Sequence, residues 1–247
     1  MTPAATLECA PAIAEGFLEA KPDATLDPMA DQAETSRTDP ARRRLATDTN
    51  DGMLLIISGP SGVGKTTITR AVERAIPGAV FSVSATTRPR REGDVEGVDY
   101  HFVDEATFGG MIQRGEFLEH VQLFGRRYGT VRGWVDEHLK RGRLVILEID
   151  VVGAIKVKQQ VADAFAMFVL PPTEQTLLDR LHSRNREGEE EIQRRFAEAK
   201  REIEQAHASR VYDHFIINDQ LDKSIVEAVA TVLGEREKRR LRQLGGG

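Results

Sequence analysis

Apolar positions recur in two rhythms along this chain, and the rhythms alternate. Leu54-Leu55-Ile56-Ile57 is a continuous apolar run, which predicts a strand buried on both faces, as in a parallel sheet. It runs into Ser58-Gly59-Pro60-Ser61-Gly62-Val63-Gly64-Lys65-Thr66-Thr67. From there Ile68, Ala71, Val72, Ala75 and Ile76 fall at helical spacing until Pro77-Gly78. Val80 to Ala85 alternates like a strand. Phe108, Met111 and Ile112 predict a short helix, Gly115 to Glu119 a return to strand, and Tyr128-Gly129-Thr130 a turn. Trp134, Val135, His138 and Leu139 mark one face of another helix, with Trp134 in the core. Leu144 to Asp150 predicts a second buried strand, ending in the carboxylates Glu148 and Asp150. Ala164 to Leu170 predicts a third, closed by Pro171-Pro172. A helical pattern then runs from Thr173 to Arg184, followed by a polar break at Asn185 to Gly188. A long amphipathic helix carries Ile192, Phe196, Ala199, Ile203 and Ala206. His214 to Asn218 is a last strand, and a helix from Leu221 ends in the basic run Arg236 to Arg242.

Strands alternating with helices predict βαβ units, hence an α/β fold with a mostly parallel sheet flanked by helices. Ligands of such sheets bind at the carboxyl ends of the strands. The glycine-rich loop, the segment Ser84 to Arg91, and Glu148 with Asp150 all leave strand carboxyl ends, so they face one cleft.

The glycine-rich loop fits G-x-x-x-x-G-K-[ST], with Gly59, Gly64, Lys65 and Thr66 on the fixed positions. Glycines let backbone N–H groups turn inward around a phosphate, and the following helix start adds unpaired donors and its positive dipole end. Lys65 then reaches the β- and γ-phosphates, and the Thr66 hydroxyl ligates Mg²⁺. Strand, loop and helix in this order define a nucleoside triphosphate site, with Pro60, Ser61, Gly62, Val63 and Thr67 completing the ATP-binding segment.

Composition narrows the picture. The chain has 247 residues, 40% hydrophobic and 30% charged, and holds no apolar run long enough to span a bilayer. Its start lacks a basic stretch followed by an apolar one, so no signal peptide is expected, and it is too acidic for a mitochondrial transit peptide. One cysteine, Cys9, forms no internal disulfide; a cytoplasmic setting is expected. The net charge is −5, but residues 1–52 hold ten acidic and five basic side chains. Removing these from the chain totals leaves 29 of each sign, so the remainder is neutral and no nucleic-acid-binding face is expected. Residues 1–52 also hold half of the ten prolines and no sustained apolar periodicity. They are expected to be a disordered extension, with a folded unit over 53–247.

Later segments narrow the class of phosphate-loop protein. Ser82-Val83-Ser84-Ala85-Thr86-Thr87-Arg88-Pro89-Arg90-Arg91-Glu92-Gly93-Asp94, with Gly97, Asp99-Tyr100 and Phe102 behind it, resembles the GMP-binding segment of guanylate kinases. Phe117-Leu118-Glu119-His120 and Tyr128-Gly129-Thr130 resemble that family's next base- and phosphate-contacting stretches. Leu147-Glu148-Ile149-Asp150 with Gly153, then Pro171-Pro172, Arg180-Leu181, Arg184, Arg195 and Asn218-Asp219, complete the resemblance in order over residues 53 to about 235.

The resemblance implies transfer of the γ-phosphoryl group of ATP to GMP, with Mg²⁺, by a phosphate-loop core carrying a small GMP-binding subdomain (about 84–134) and a helical lid (about 184–195). It implies that Ser84, Glu119 and Thr130 hold guanine, and that Arg88, Arg91, Tyr100 and Tyr128 hold the GMP phosphate. Lys65, Arg88, Arg184 and Arg195 would act on the transferring group, and Thr66 would hold Mg²⁺ with Glu148 or Asp150 through water. ATP and GMP are the implied partners, with no membrane, nucleic acid or obligate protein partner. The residue chemistry agrees: a carboxylate accepts from guanine N1–H and N2–H₂, and hydroxyls donate to O6. Arginines supply forked donors that suit a phosphate.

The chain departs from the family pattern in places. Glu148 stands where Asp is usual and Asp94 where Glu is usual. Asn185 replaces a common Gly after the lid arginine, Arg127 a frequent Tyr, and Thr130 a Ser. Three rivals are a non-enzymatic scaffold of the same shape, a kinase for a phosphorylated sugar and, weakest given the neutral remainder, a regulatory nucleic-acid-binding NTPase. The scaffold lacks a working phosphate loop, and the sugar kinase has no need of Glu119 and Thr130 together.

Overall fold

The computed structural model describes residues 52–123, 125–184 and 188–245, and of Arg184 and Gly245 the backbone alone. The extension expected over 1–52 therefore lies outside the described residues apart from Gly52. In chain order the elements are β1 (Met53–Ser58), α1 (Lys65–Ala75), β2 (Val80–Phe81), β3 (Ala85–Thr86) and β4 (His101–Phe102). Next come α2 (Glu105–Gln113), β5 (Phe117–Leu123), β6 (Arg126–Val131), α3 (Arg132–Lys140), β7 (Leu144–Glu148) and α4 (Val151–Gln160). The chain continues with β8 (Phe165–Leu170), α5 (Glu174–Arg184), α6 (Glu189–Ser209), β9 (His214–Ile217) and α7 (Leu221–Gly245).

Five strands form one sheet in the order β2-β7-β1-β8-β9, with every pairing parallel. All six residues of β1 are buried, as the unbroken apolar run requires of a central parallel strand. Successive side chains of β1 enter opposite layers. Met53, Leu55 and Ile57 pack with Ile68 and Val72 of α1 and with Ala228 and Val232 of α7. Leu54 and Ile56 pack with Val135 of α3, with Val151, Ala154 and Val157 of α4, and with Ala206 of α6. Each Val, Leu, Ile or Met side chain so buried contributes about 1.5–3 kcal/mol. A smaller cluster, Leu177, Leu181, Ile192 and Ala199, joins α5 to α6. Among the described residues no helix is long and apolar enough to cross a membrane.

A second, four-stranded sheet has the order β4-β3-β6-β5, with β3 and β4 parallel and the other pairs antiparallel. It corrects two sequence expectations. Val80 to Ala85 is not one strand: Val80–Phe81 joins the large sheet, and the chain then crosses to the small one at Ala85. Tyr128-Gly129-Thr130 lies inside β6 rather than in a turn. Gly129 there is a packing requirement, because a Cβ would stand 2.7 Å from the Phe117 ring. Trp134 is partly buried and packs against the core layer of Leu54, Ile56 and Val135, as expected, with its ring stacked on His138 at 4.0 Å between centroids.

Candidate active site

The register of the large sheet brings the chemistry together. Ile57 of β1 pairs with Glu148 of β7, so the glycine-rich loop and the acidic strand end start side by side. Gly64 caps α1 with φ 99°, a left-handed conformation that suits glycine, and no side chain caps the helix. Its first N–H groups therefore point into the loop as anion donors. The loop is held from outside: Asn218 Nδ2 donates to Val63 O at 2.8 Å, and Arg180 donates to Asn218 O at 2.8 Å. Lys65 Nζ folds over the loop and donates to Gly59 O at 2.5 Å and Pro60 O at 3.1 Å.

Thr66 Oγ1 donates to Glu148 Oε1 at 2.7 Å, while Glu148 Oε2 is buried without a hydrogen-bond partner. Of the two carboxylates expected beside Thr66, Glu148 takes the place. Asp150 instead caps α4, accepting from Gly153 N at 2.6 Å. Burial raises its pKa, and the cap bond opposes that.

A cavity of about 280 Å³ runs from the loop to the small sheet. Gly59, Ser61 and Lys65 stand at one end; Ser84, Tyr100, Glu119 and Tyr128 stand at the other; Glu148 and Asp150 lie between. Glu119 sits on β5 directly opposite Thr130 of β6, 5% exposed. Thr130 Oγ1 donates to Glu119 Oε1 at 2.8 Å, and Glu119 Oε2 has no hydrogen-bond partner. Burial pushes the Glu119 pKa up to about 7, with Asp150 adding to the rise and Thr130 and Lys156 opposing it. A hydroxyl has one proton to give, so Thr130 in this arrangement has none for a base carbonyl. That proton goes to Glu119 Oε1, so here Thr130 orients the carboxylate.

Gly153, in the first turn of α4, is the floor under both acids. A Cβ there would stand 3.0 Å from Glu119 Oε2 and 3.1 Å from Asp150 Oδ1.

Tyr100 and Tyr128 meet edge to face, with centroids 5.8 Å apart, and the Arg88 guanidinium lies 5.2 Å from the Tyr100 centroid. Arg88 is paired with Asp94 at 2.9 Å, which raises the arginine and holds the carboxylate below its usual range. Arg88 therefore stands behind Tyr100 rather than in the cavity wall. Arg91 is exposed, its backbone N–H donating to Asp94 Oδ2 at 2.6 Å. Arg195 of α6 donates to Ser61 Oγ at 2.6 Å, reaching the glycine-rich loop across 134 positions of sequence. The lid expected over 184–195 is described only in part. Gly188 caps α6 and its first turns reach Arg195, whereas the side chain of Arg184, and all of 185–187 with Asn185, lie outside the described residues.

One charged cavity residue escaped the sequence reading, besides the apolar Val121 and Leu123. Glu202 of α6 lines the wall, and burial pushes its pKa up to about 7, with Lys65 opposing the rise. It lies seven residues beyond Arg195, two helical turns along the same face.

A parallel sheet whose central strand feeds a glycine-rich anion loop, with a carboxylate beside Thr66 and a second pocket opposite, defines a phosphate-loop kinase that passes a phosphoryl group to a small acceptor. The family model for guanylate kinase matches residues 51–236. The guanylate kinase of Symbiobacterium thermophilum is 43% identical over 187 residues, covering 76% of this chain and 87% of that protein. That of Paramagnetospirillum magneticum is 44% identical over 202 residues, covering 81% of this chain and 92% of the other. The crystal structure of guanylate kinase from Anaplasma phagocytophilum superposes with a TM-score of 0.61 at 28% identity, covering 77% of this chain and 89% of that one. The chain belongs to the guanylate kinase family, and the reaction is phosphorylation of GMP by ATP.

Proposed function

We propose that the cavity is the GMP site, that the glycine-rich loop holds the ATP phosphates, and that transfer is direct between the two. The observation that carries this reading is the Glu119 carboxylate: buried, fixed on one oxygen by Thr130, with its other oxygen unpartnered. A buried acceptor left unpaired is costly, and guanine repays it by offering N1–H and N2–H₂ side by side. Adenine turns an acceptor to the same place and is repelled. Ser84 is then left as the hydroxyl donor for O6. Tyr100 and Tyr128 line the same cavity as Glu119 and are assigned to the GMP phosphate, with Arg88 beside Tyr100 and Arg91 supplying charge.

At the other end, Lys65 exchanges the loop carbonyls for the β- and γ-phosphates, which offer it full negative charge. Thr66 and Glu148 are hard oxygen donors, and the buried, unpartnered Glu148 Oε2 fits a place beside a metal's water. On this reading Mg²⁺ would arrive on the nucleotide, held by the phosphates with Thr66 and Glu148 beside it. The metal supplies charge neutralisation on the phosphate oxygens. A GMP phosphate oxygen forms the new bond to the γ-phosphorus, the bond to the β,γ-bridging oxygen breaks, and ADP leaves with that electron pair. No protein group need move a proton, so positioning and cationic charge carry the step. Arg195, already on Ser61, adds charge over the transferring group, and the family resemblance assigns the same role to Arg184. Both substrates are nucleotides made inside cells, and the cytoplasm is the compartment this reading assigns.

The test is ADP release with GMP, AMP or UMP as acceptor and with none. GMP should support fast release and the others little. Equal rates with GMP and AMP would overturn the assignment of the cavity.

A further inference from the structure

The small sheet ends at β5, so one edge of the strand that carries Glu119 has no neighbouring strand. Helices from the large domain take that role. Gln160 Nε2 of α4 donates to Leu118 O at 2.7 Å, and Lys156 Nζ, one turn earlier, donates to His120 O. Arg132 of α3 reaches Phe117 O at 3.4 Å and is bonded to the Gln160 side chain. The carbonyls on both sides of Glu119 are thus held by one helix, and the same helix sets Gly153 against the Glu119 carboxylate. The pairing of β5 with β6 shifts register between Phe117 and Glu119, so the sheet alone fixes this stretch poorly.

Accepting that Glu119 reads the base, we propose that Lys156 is a positioning residue for guanine recognition: its bond to the His120 carbonyl fixes the depth at which the Glu119 carboxylate enters the cavity. Lys156 does not line that cavity. It stands on the far side of β5, in a separate open hollow of about 360 Å³ shared with Arg132 and Gln160. Its effect on GMP is therefore exerted on Glu119, through the strand backbone and through the charge that opposes the rise in the Glu119 pKa.

The test is steady-state kinetics of Lys156→Met and Lys156→Arg in the full chain, with Glu119→Ala beside them. A charge-assisted hydrogen bond is worth enough to change an equilibrium about tenfold or more, so Lys156→Met should raise KM for GMP by that factor. KM for ATP should stay at the parental value, and the preference for GMP over AMP should fall. Lys156→Arg, which keeps a charged donor, should restore both. Parental GMP kinetics in Lys156→Met, or equal rises in KM for GMP and ATP, overturns the proposal. Gln160→Leu, at the neighbouring carbonyl, carries the same test with the same outcomes where Lys156→Met does not fold. A Glu119→Ala enzyme with parental GMP preference would instead overturn the base-reading role on which this proposal stands.

Discussion

Replacing Gly153 with alanine adds one methyl group between two carboxylates. The new Cβ would stand 3.0 Å from Glu119 Oε2, 3.3 Å from Glu119 Cδ and 3.1 Å from Asp150 Oδ1, all closer than comfortable packing. Neither acid yields cheaply. Asp150 Oδ1 is tied to Gly153 N at 2.6 Å as the cap of α4, and Glu119 is tied to Thr130 at 2.8 Å. Overpacking of this kind costs ~1–3 kcal/mol. If Glu119 moves, that range converts to a loss of ~5–150-fold in GMP affinity. Stability should respond less, because alanine in place of a helical glycine returns up to ~1 kcal/mol. The expected signature is a large rise in KM for GMP, an unchanged KM for ATP and a melting temperature close to parental. The assay is coupled ADP release at saturating ATP, with a thermal melt of the same preparation. Parental KM for GMP would refute the claim that α4 fixes the base-reading carboxylate.

Other outcomes follow from the same geometry. Lys65→Ala should fold and lose ~10²–10³ in turnover, because one preorganised charge on the transferring phosphates is gone; parental turnover would remove Lys65 from the mechanism. Glu119 and Glu202 both titrate near 7 through burial, so kcat/KM for GMP should rise as pH climbs through that value and Glu119 becomes the acceptor guanine needs. Stability should move the opposite way. Both acids are raised above their ordinary 4.5, so the folded state binds more protons than the unfolded chain between 4.5 and about 7, and their contribution is lost as pH rises through that window. Glu202→Gln separates the two acids, and a flat profile for kcat/KM from pH 6 to 8 in that variant would contradict the titration of Glu119.

How far the sequence disclosed this arrangement varies by element. β1, the glycine-rich loop and α1 were legible because a doubly buried strand leaves an unbroken apolar run and the loop leaves fixed glycines. The crossing between sheets at Ser82–Ser84 was not, since an alternating pattern is the same whichever sheet receives it. α4 escaped as a helix for a similar reason. Val151, Gly153, Ala154 and Val157 are buried against the sheet, but Val152 is exposed, so the apolar residues from Val151 to Ile155 show no helical periodicity. Glu119 and Thr130 were recognisable from the family resemblance, but their bond depends on strand register, which residue types alone do not encode. Glu202 reads on paper as one more charge on a charged helix; only the packing of α6 over the cavity gives it a role.

The central claim is that one carboxylate chooses the acceptor base. Glu119→Ala removes both its attraction for guanine and its repulsion of adenine, and a polar pocket of this kind discriminates by up to ~10⁴–10⁵. The decisive quantity is the ratio of kcat/KM for GMP to kcat/KM for AMP, measured in the parent and in Glu119→Ala at saturating ATP. A ratio that collapses toward one, with KM for ATP unchanged, is the predicted result; a ratio that keeps its parental value would contradict it.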